Sequence, residues 1–195
     1  MTKADRIRHP SLPPDVARLI QGLVSHRIEY VVVGSAAAKL YGVALEPRDF
    51  DIVPALEREN LTRLGALLQE LEASLPDDEE IGRWEVQADG EQKWVSRKAT
   101  TAERRDRANW SPNADDVASL DHLMNTRYGN LDIVPKVAGG YPMLRERAVA
   151  MKFGGHETWV ANVDDLLAAL TVARQPRYVD RVRALREVQR AQGAR

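Results

Sequence analysis

The sequence feature that most constrains the fold is the segment Asp-Phe-Asp-Ile-Val at residues 49–53. Apolar residues dominate it and a proline follows, which predicts a short and largely buried strand. Because side chains alternate across a strand, Asp49 and Asp51 project to one face, about 6–7 Å apart. Phe50 and Ile52 face the opposite way, into the core. The segment therefore predicts a buried strand that carries two carboxylates on one face.

A second apolar segment, Leu-Asp-Ile-Val at residues 131–134, carries the single aspartate Asp132. If the two strands are neighbours, three carboxylates converge, and each pair at about 4 Å costs roughly 4 kcal/mol in a medium of intermediate dielectric. A fold keeps such a cluster where a cation relieves the repulsion, and oxygen ligands suit Mg²⁺ or Mn²⁺. The alternative is that each aspartate caps a strand end or pairs with Arg48 or Arg127, without meeting the others.

The segment Tyr-Val-Val-Val at residues 30–33 predicts another buried strand, which ends at Gly34 and Ser35. Strong helix formers follow at residues 36–41, with Ser35 as the predicted N-cap and Gly42 as the stop. A glycine-serine turn at a helix N-terminus offers backbone N–H groups and the positive end of the helix dipole, which suit phosphate. For these two residues taken alone, an ordinary strand-to-helix turn is the alternative.

The rest of the chain predicts a mixed sheet with helices. Residues 76–115 lack a clear period, so we expect irregular structure or a mobile insertion there, with a short strand around residues 92–95. The order of elements predicts an α/β (α+β) fold with a mixed β-sheet, flanking helices and a C-terminal helical element. The other predicted helices are 15–24, 57–75, 163–173 and 178–192, and the other predicted strands are 117–126 and 156–161, the last at a sheet edge.

The length of 195 residues suits one ordinary domain, or a core with a helical appendage. We expect a core at residues 1–150 with a variable insertion at about 76–116. The C-terminal strand and helices at residues 151–195 are expected to pack on that core.

Composition excludes several classes of site. The chain has no cysteine, which rules out disulfides and zinc sites built on sulfur. The formal net charge of −1 means that nucleic-acid binding would depend on a local patch. No apolar run approaches the roughly 18–20 residues of a membrane span or resembles a signal peptide, so we expect a cytoplasmic protein without membrane contact.

These segments carry a resemblance to a known family. Tyr-Val-Val-Val-Gly-Ser at 30–35 and Arg-Asp-Phe-Asp-Ile-Val at 48–53 resemble the signature of the DNA polymerase β-like nucleotidyltransferase superfamily. More closely, the chain resembles the AbiEii and MenT toxins of toxin–antitoxin systems. Residues 126–134 are similar to the segment with the third carboxylate, and residues 160–167 to the start of the C-terminal helices. The resemblance covers residues 28–75 and 117–185 and leaves 76–116 unmatched.

The resemblance implies an enzyme that moves a nucleoside monophosphate from a nucleoside triphosphate to an acceptor and releases pyrophosphate. Asp49 and Asp51 would bind the metal that bridges the phosphates and, with Asp132, a second metal near the attacking group. Gly34 and Ser35 would hold the β- and γ-phosphates. Toxin relatives suggest RNA as acceptor, particularly a tRNA 3′ end, and a cognate antitoxin as protein partner.

The chain departs from the family pattern at two places. Many relatives have a lysine in the helix after Asp-Asp-Leu-Leu, where this chain has Leu170, and an Arg-x-Thr run where it has Leu-Glu-Pro-Arg at 45–48. Lys39, Arg48 or a residue of the basic segment 93–107 could replace the missing cation. The alternatives are a nucleotidyltransferase fold that has lost catalysis and serves as a binding module, and an antibiotic nucleotidyltransferase.

Two basic stretches have competing interpretations. Lys93 to Arg107, with Trp94 and Trp110 nearby, could contact RNA phosphates and stack on bases, or could be a solvated surface that also carries acidic residues. The arginines near the C-terminus are predicted to form a solvated helix face that could also dock a partner or the triphosphate. They are Arg174, Arg177, Arg181 and Arg183.

Overall fold

The computed structural model describes residues 15–77, 80–87, 92–173 and 178–193. Within these ranges the chain forms seven α-helices and eight strands. The helices are α1 Val16–Ser25, α2 Gly34–Leu40, α3 Arg58–Glu70, α4 Thr101–Ala108, α5 Tyr141–Arg147, α6 Val163–Ala173 and α7 Val179–Gly193. The strands are β1 Tyr30–Val32, β2 Phe50–Pro54, β3 Glu80–Val86, β4 Gln92–Lys98, β5 Leu123–Thr126, β6 Gly129–Ile133, β7 Val149–Phe153 and β8 His156–Val160.

Six of these strands form a mixed sheet in the order β5-β6-β2-β1-β8-β7. At its centre, β1 is antiparallel to β2 and parallel to β8, while β2 is parallel to β6. Each side of the sheet ends in an antiparallel hairpin, β5–β6 and β7–β8. This arrangement confirms the predicted mixed α/β sheet with flanking helices.

The two central strands lie in the core because their residues, apart from Asp51, are largely apolar. All three residues of β1 are buried, and so are the apolar residues of β2. Helix α3 adds a leucine face at three- and four-residue spacing. Leu67 of that face packs closely against Gly22 of α1, where an added Cβ would lie 3.0 Å from the leucine Cδ1.

Two buried polar side chains are satisfied inside this core. Thr158 donates a hydrogen bond of 2.9 Å to the Tyr30 hydroxyl, which ties β8 to β1. Asn60 accepts from the Glu29 backbone N–H and donates to the carbonyls of Glu29 and Ala55. Both groups have the partners that burial of polar atoms demands.

The expectation for residues 76–115 is wrong in one respect, because much of this stretch is regular. Strands β3 and β4 pair over their full length as an antiparallel hairpin, and α4 follows. Helix α4 begins with a capping box in which Thr100 and Glu103 each bond the other's backbone N–H. Most residues of α4 are charged and the helix has no apolar face, so the hydrophobic periodicity of the sequence did not predict it.

Several boundaries also differ from prediction. Helix α3 ends at Glu70, and the chain then turns through Glu72, whose φ is +53°, so that Ser74 bridges to Asn125. The strand predicted at 117–126 begins as a 3₁₀ turn at Val117–Ser119 and becomes β5 at Leu123.

The strand at 156–161 is not at the sheet edge. Strand β8 lies between β1 and β7, and β7 forms the edge after a Gly154-Gly155 turn. Strand β7 escaped prediction because its residues are apolar except for Lys152, so the sequence shows no alternation of apolar and polar residues. The predicted division after residue 150 falls inside β7. Among the described helices, none combines the length and apolar character needed to cross a membrane.

Candidate metal centre

The register of two parallel strands brings the predicted carboxylates together. In the β2–β6 pair, Asp51 lies directly opposite Asp132, so both side chains project from the same face of the sheet. Asp49 precedes β2 by one residue. One carboxylate oxygen from each of the three aspartates lies within 4.8 Å of the others. The predicted convergence of Asp49, Asp51 and Asp132 is therefore confirmed.

The three carboxylates fit a divalent cation. Asp49 is only 6% exposed, while Asp51 and Asp132 are half-buried. Burying a carboxylate beside two others is unfavourable unless a cation or strong hydrogen bonds compensate. Ser35 donates a long hydrogen bond of 3.5 Å to Asp49 Oδ1. A compact set of oxygen ligands is the kind that Mg²⁺ and Mn²⁺ prefer.

Gly34 is required by the position of Asp51. Its φ is +66°, in the left-handed region that favours glycine. A Cβ built on Gly34 would lie 2.1 Å from Asp51 Oδ2, far inside van der Waals contact. The backbone of the strand-to-helix turn can approach the carboxylate this closely only because Gly34 has no side chain.

The prediction that Ser35 caps α2 is wrong. The helix begins at Gly34, Val33 occupies the N-cap position, and no side chain caps the helix. Because the left-handed Gly34 starts the helix one residue early, Ser35 falls in the first turn. Its hydroxyl is directed to Asp49 instead of to the helix backbone.

A cavity of about 460 Å³ adjoins the acidic cluster. It is lined by the β1–α2 turn, the segment before β2, and Asp49 and Asp51. Residues of α5, α6, α7 and the turn after β6 also line it. Its apolar lining includes Val33, Val134, Val137, Ala138, Leu144, Ala161, Leu166, Ala169, Leu170 and Leu185.

Of the two side chains predicted to supply positive charge to the phosphates, Arg48 lines the cavity and Lys39 does not. Arg48 is exposed and lines the cavity beside Asp49. Lys39 lies in the last turn of α2, and its ammonium group forms an ion pair of 2.8 Å with Glu46, which itself lines the cavity. Lys39 thus reaches the cavity rim through Glu46.

Sequence reasoning missed the cavity residue Tyr178, and it named Arg181 only as one of four arginines on a face that could dock a partner or the triphosphate. Tyr178 and Arg181 line the cavity, and the Arg181 guanidinium carbon lies 5.3 Å from the Tyr178 ring centroid. The signal was present, because Tyr178, Arg181 and the fully buried Leu185 share a helix face at three- and four-residue spacing. Arg183 is exposed and pairs with Asp180, as a solvated face predicts, whereas Arg174 and Arg177 lie outside the described residues.

Much of the basic charge at residues 93–107 is paired within the protein. Arg97 forms two hydrogen bonds to Glu103, and this pairing, with the bonds from Thr100, lowers the pKa of Glu103 to about 2. Arg104 pairs with Asp77, and Arg107 donates to the carbonyl of Pro76. Trp110 donates its indole N–H to the Ser119 carbonyl at 2.7 Å, and the Trp94 side chain lies outside the described part of the structure.

Comparison with known proteins gives little further constraint. No protein-family model matches the chain, and no curated protein does. Among solved structures, an antigenic nucleotidyltransferase-like protein from Paracoccidioides brasiliensis matches with a TM-score of 0.45 and 14% sequence identity. The match covers 89% of this chain and 72% of that one. At this score the similarity assigns neither family nor activity.

Proposed function

We propose that the protein is a metal-dependent nucleotidyltransferase that transfers a nucleoside monophosphate from a nucleoside triphosphate to a hydroxyl acceptor. One observation carries the proposal. Carboxylate oxygens of Asp49, Asp51 and Asp132 lie within 4.8 Å of one another beside a glycine that tolerates no side chain, and Asp49 and Asp51 line a cavity. The resemblance of the residues around them to the nucleotidyltransferase signature supports the same activity.

Asp49, Asp51 and Asp132 would hold Mg²⁺ or Mn²⁺ in this scheme. When bound, the metal neutralises phosphate charge and stabilises the entering and leaving oxygens of the displacement. The Ser35 hydroxyl adjoins the Asp49 carboxylate, and the Gly34–Ser35 turn would offer backbone N–H groups to the phosphates. Arg48 and Lys39 would supply positive charge at the rim.

The chemical step exchanges one phosphorus–oxygen bond for another. The acceptor oxygen bonds to the α-phosphorus, and its proton passes to Asp132. The bond from the α-phosphorus to the bridging oxygen breaks, and pyrophosphate leaves with the electron pair. Asp132 is assigned the proton because it is half-buried beside Asp51, on the strand next to β2.

RNA, particularly a tRNA 3′ end, is our proposed acceptor, and the argument for it is electrostatic. Lys93, Lys98 and Arg105 are exposed on β4 and α4, where they are available to phosphates. The ion pairs of Arg97 and Arg104 reduce the charge that this surface offers. In a toxin-like role, a cognate antitoxin would be the protein partner.

A nucleotide-binding module without catalysis is the second candidate function. Leu170, which stands where relatives have a lysine, lines the cavity and gives α6 an apolar surface there. A cavity that binds metal and triphosphate without aligning them for transfer would show binding but no turnover.

The test is incubation of the protein with each α-labelled ribonucleoside triphosphate, Mn²⁺ and total RNA, with Asp49→Asn as the matched variant. Label on RNA in the wild type alone supports the enzyme and its acceptor. Label on protein but never on RNA excludes RNA as acceptor. Metal-dependent binding without label transfer supports the binding module. Triphosphate binding that is equal with and without metal contradicts the scheme.

A further inference from the structure

Residues of the two C-terminal helices also line the cavity beside the acidic cluster. Helix α6 contributes largely apolar side chains to it, among them Leu166 and Leu170. Helix α7 contributes Arg181 and Leu185, and Tyr178 stands just before that helix. These residues line the same cavity as Asp49 and Asp51.

Two acidic residues of the lining are balanced by cations that do not line the cavity. Glu46 pairs with Lys39 at 2.8 Å. Asp165 accepts two hydrogen bonds from Arg147, at 2.7 and 3.2 Å. The charge of Glu46 and Asp165 is therefore largely compensated before any ligand enters.

Among the described residues that line the cavity, the positively charged ones are Arg48 and Arg181. Arg48 is exposed and adjoins Asp49 on the sheet side. Arg181 is half-buried on the α7 side, 5.3 Å from the Tyr178 ring, which is within the range of a cation–π contact. The ring and the fully buried Leu185 on the same helix face hold Arg181 against the cavity.

A polyphosphate chain that begins at the acidic cluster needs a cation farther along the cavity. A guanidinium group suits this need, because its planar N–H groups bond two phosphate oxygens at once. We infer that Arg181, supported by Tyr178, binds the β- and γ-phosphates of the nucleoside triphosphate. This inference rests on the proposed function and adds a phosphate-binding residue from the C-terminal helix.

Calorimetry with Mn²⁺ and each of the four ribonucleoside triphosphates, followed by the matching monophosphates, tests the inference. The variants are Arg181→Gln, Arg181→Lys and the matched control Arg183→Gln, which removes an exposed arginine from the same helix. We expect Arg181→Gln to weaken triphosphate binding about tenfold to a hundredfold, since a charge-assisted hydrogen bond is lost. Monophosphate and Mn²⁺ affinities should not change, and Arg181→Lys should recover part of the loss.

Unchanged triphosphate affinity in Arg181→Gln, with normal binding by the wild type, would overturn this inference alone. An equal loss in Arg183→Gln would also overturn it, because the effect would then be general electrostatics. Equal losses for triphosphate and monophosphate would place Arg181 away from the β- and γ-phosphates. If the wild type binds no triphosphate in the presence of metal, the proposed function fails together with the inference.

Discussion

The central sheet and the predicted insertion at residues 76–116 are stabilised by different interactions. In the sheet, β1 and β2 are buried, and their register fixes which side chains meet. In the insertion, α4 has no buried residue, and exposed ion pairs such as Arg97–Glu103 connect its parts. The candidate metal ligands all lie in the sheet region, where a slip of one residue would send them to the other face.

The two regions differ in how precisely they can position the side chains of a binding site. A buried register can hold carboxylates within a few ångströms, whereas exposed ion pairs are individually weak and screened by salt. The proposed metal site therefore lies in the sheet region, and any contact of the insertion with a large acceptor would be adaptable and salt-dependent.

The largest expected effect comes from breaking the sheet site. Asp51→Asn keeps the shape of the side chain but removes a charge from the cluster. We expect turnover to fall about 10³-fold or more, because the metal contributes several kcal/mol to the transition state. The control is Asp115→Asn, an exposed aspartate that pairs with Arg58. Comparable losses of turnover in both variants would show that the carboxylates of the sheet have no special role in the reaction.

A glycine pair separates backbone strain from damage to the site. Gly34→Ala forces a methyl group onto Asp51, whereas Gly42→Ala meets no atom within 4 Å, although both glycines have positive φ. Both variants should lose about 1 kcal/mol of stability from the strained backbone. Only Gly34→Ala should weaken Mn²⁺ binding, by about 10–100-fold as for other residues that orient metal ligands. Equal metal affinity in the two variants would refute the close-approach role of Gly34.

The buried hydroxyl of Tyr30 predicts an alkaline instability that belongs to the sheet. Burial raises the pKa of Tyr30 from 10.0 to about 12, against a smaller opposing effect of the Thr158 hydrogen bond. The unfolded chain ionises first, so this contribution is complete below pH 10 and is lost as the pH rises from 10 to 12. The loss amounts to about 2–3 kcal/mol.

Urea unfolding of wild type and Tyr30→Phe between pH 8.5 and about 11.5 measures this loss, the pH range being chosen to bracket the ordinary tyrosine pKa of about 10. The wild type should lose stability faster than Tyr30→Phe above pH 10. Parallel curves would contradict the assignment of the alkaline effect to Tyr30.

The smallest effect is expected in the insertion. Thr100→Ala removes the side-chain cap of α4 and leaves the sheet untouched. Amide hydrogen exchange within α4 should quicken roughly fivefold, as the loss of about 1 kcal/mol implies, while the β2 amides and Mn²⁺ affinity remain unchanged. A global loss of stability, or a change in metal affinity, would show that the insertion is coupled to the site.

The sequence predicted the parts of the molecule that burial controls. Asp51 and Asp132 could be found because each interrupts an apolar strand, and Asp49 because it directly precedes one. Asp51 and Asp132 lie opposite each other in the β2–β6 pair. Helix α4 could not be found from periodicity, since it buries nothing. Its capping box, Thr100 with Glu103, was the one local signal.

The cavity wall was missed for a different reason. Arg181 was grouped with other arginines as a solvated face, although its spacing from Leu185 places it on the inward side of α7. Charge suggested exposure, and only the packing of α7 showed which arginine lines the cavity. Which face of α7 turns toward the cavity depends on tertiary contacts, and the composition of the helix does not reveal them.

The most direct measurement is crystallographic. Crystals grown with Mn²⁺ and a non-hydrolysable triphosphate analogue, measured for anomalous scattering, would locate the metal. We predict an anomalous peak about 2.1 Å from carboxylate oxygens of Asp49 and Asp51, with Asp132 as a further ligand of that ion or of a second one beside it. A bound analogue with no metal peak at the three aspartates, or with its phosphates away from Gly34, would contradict the proposed site.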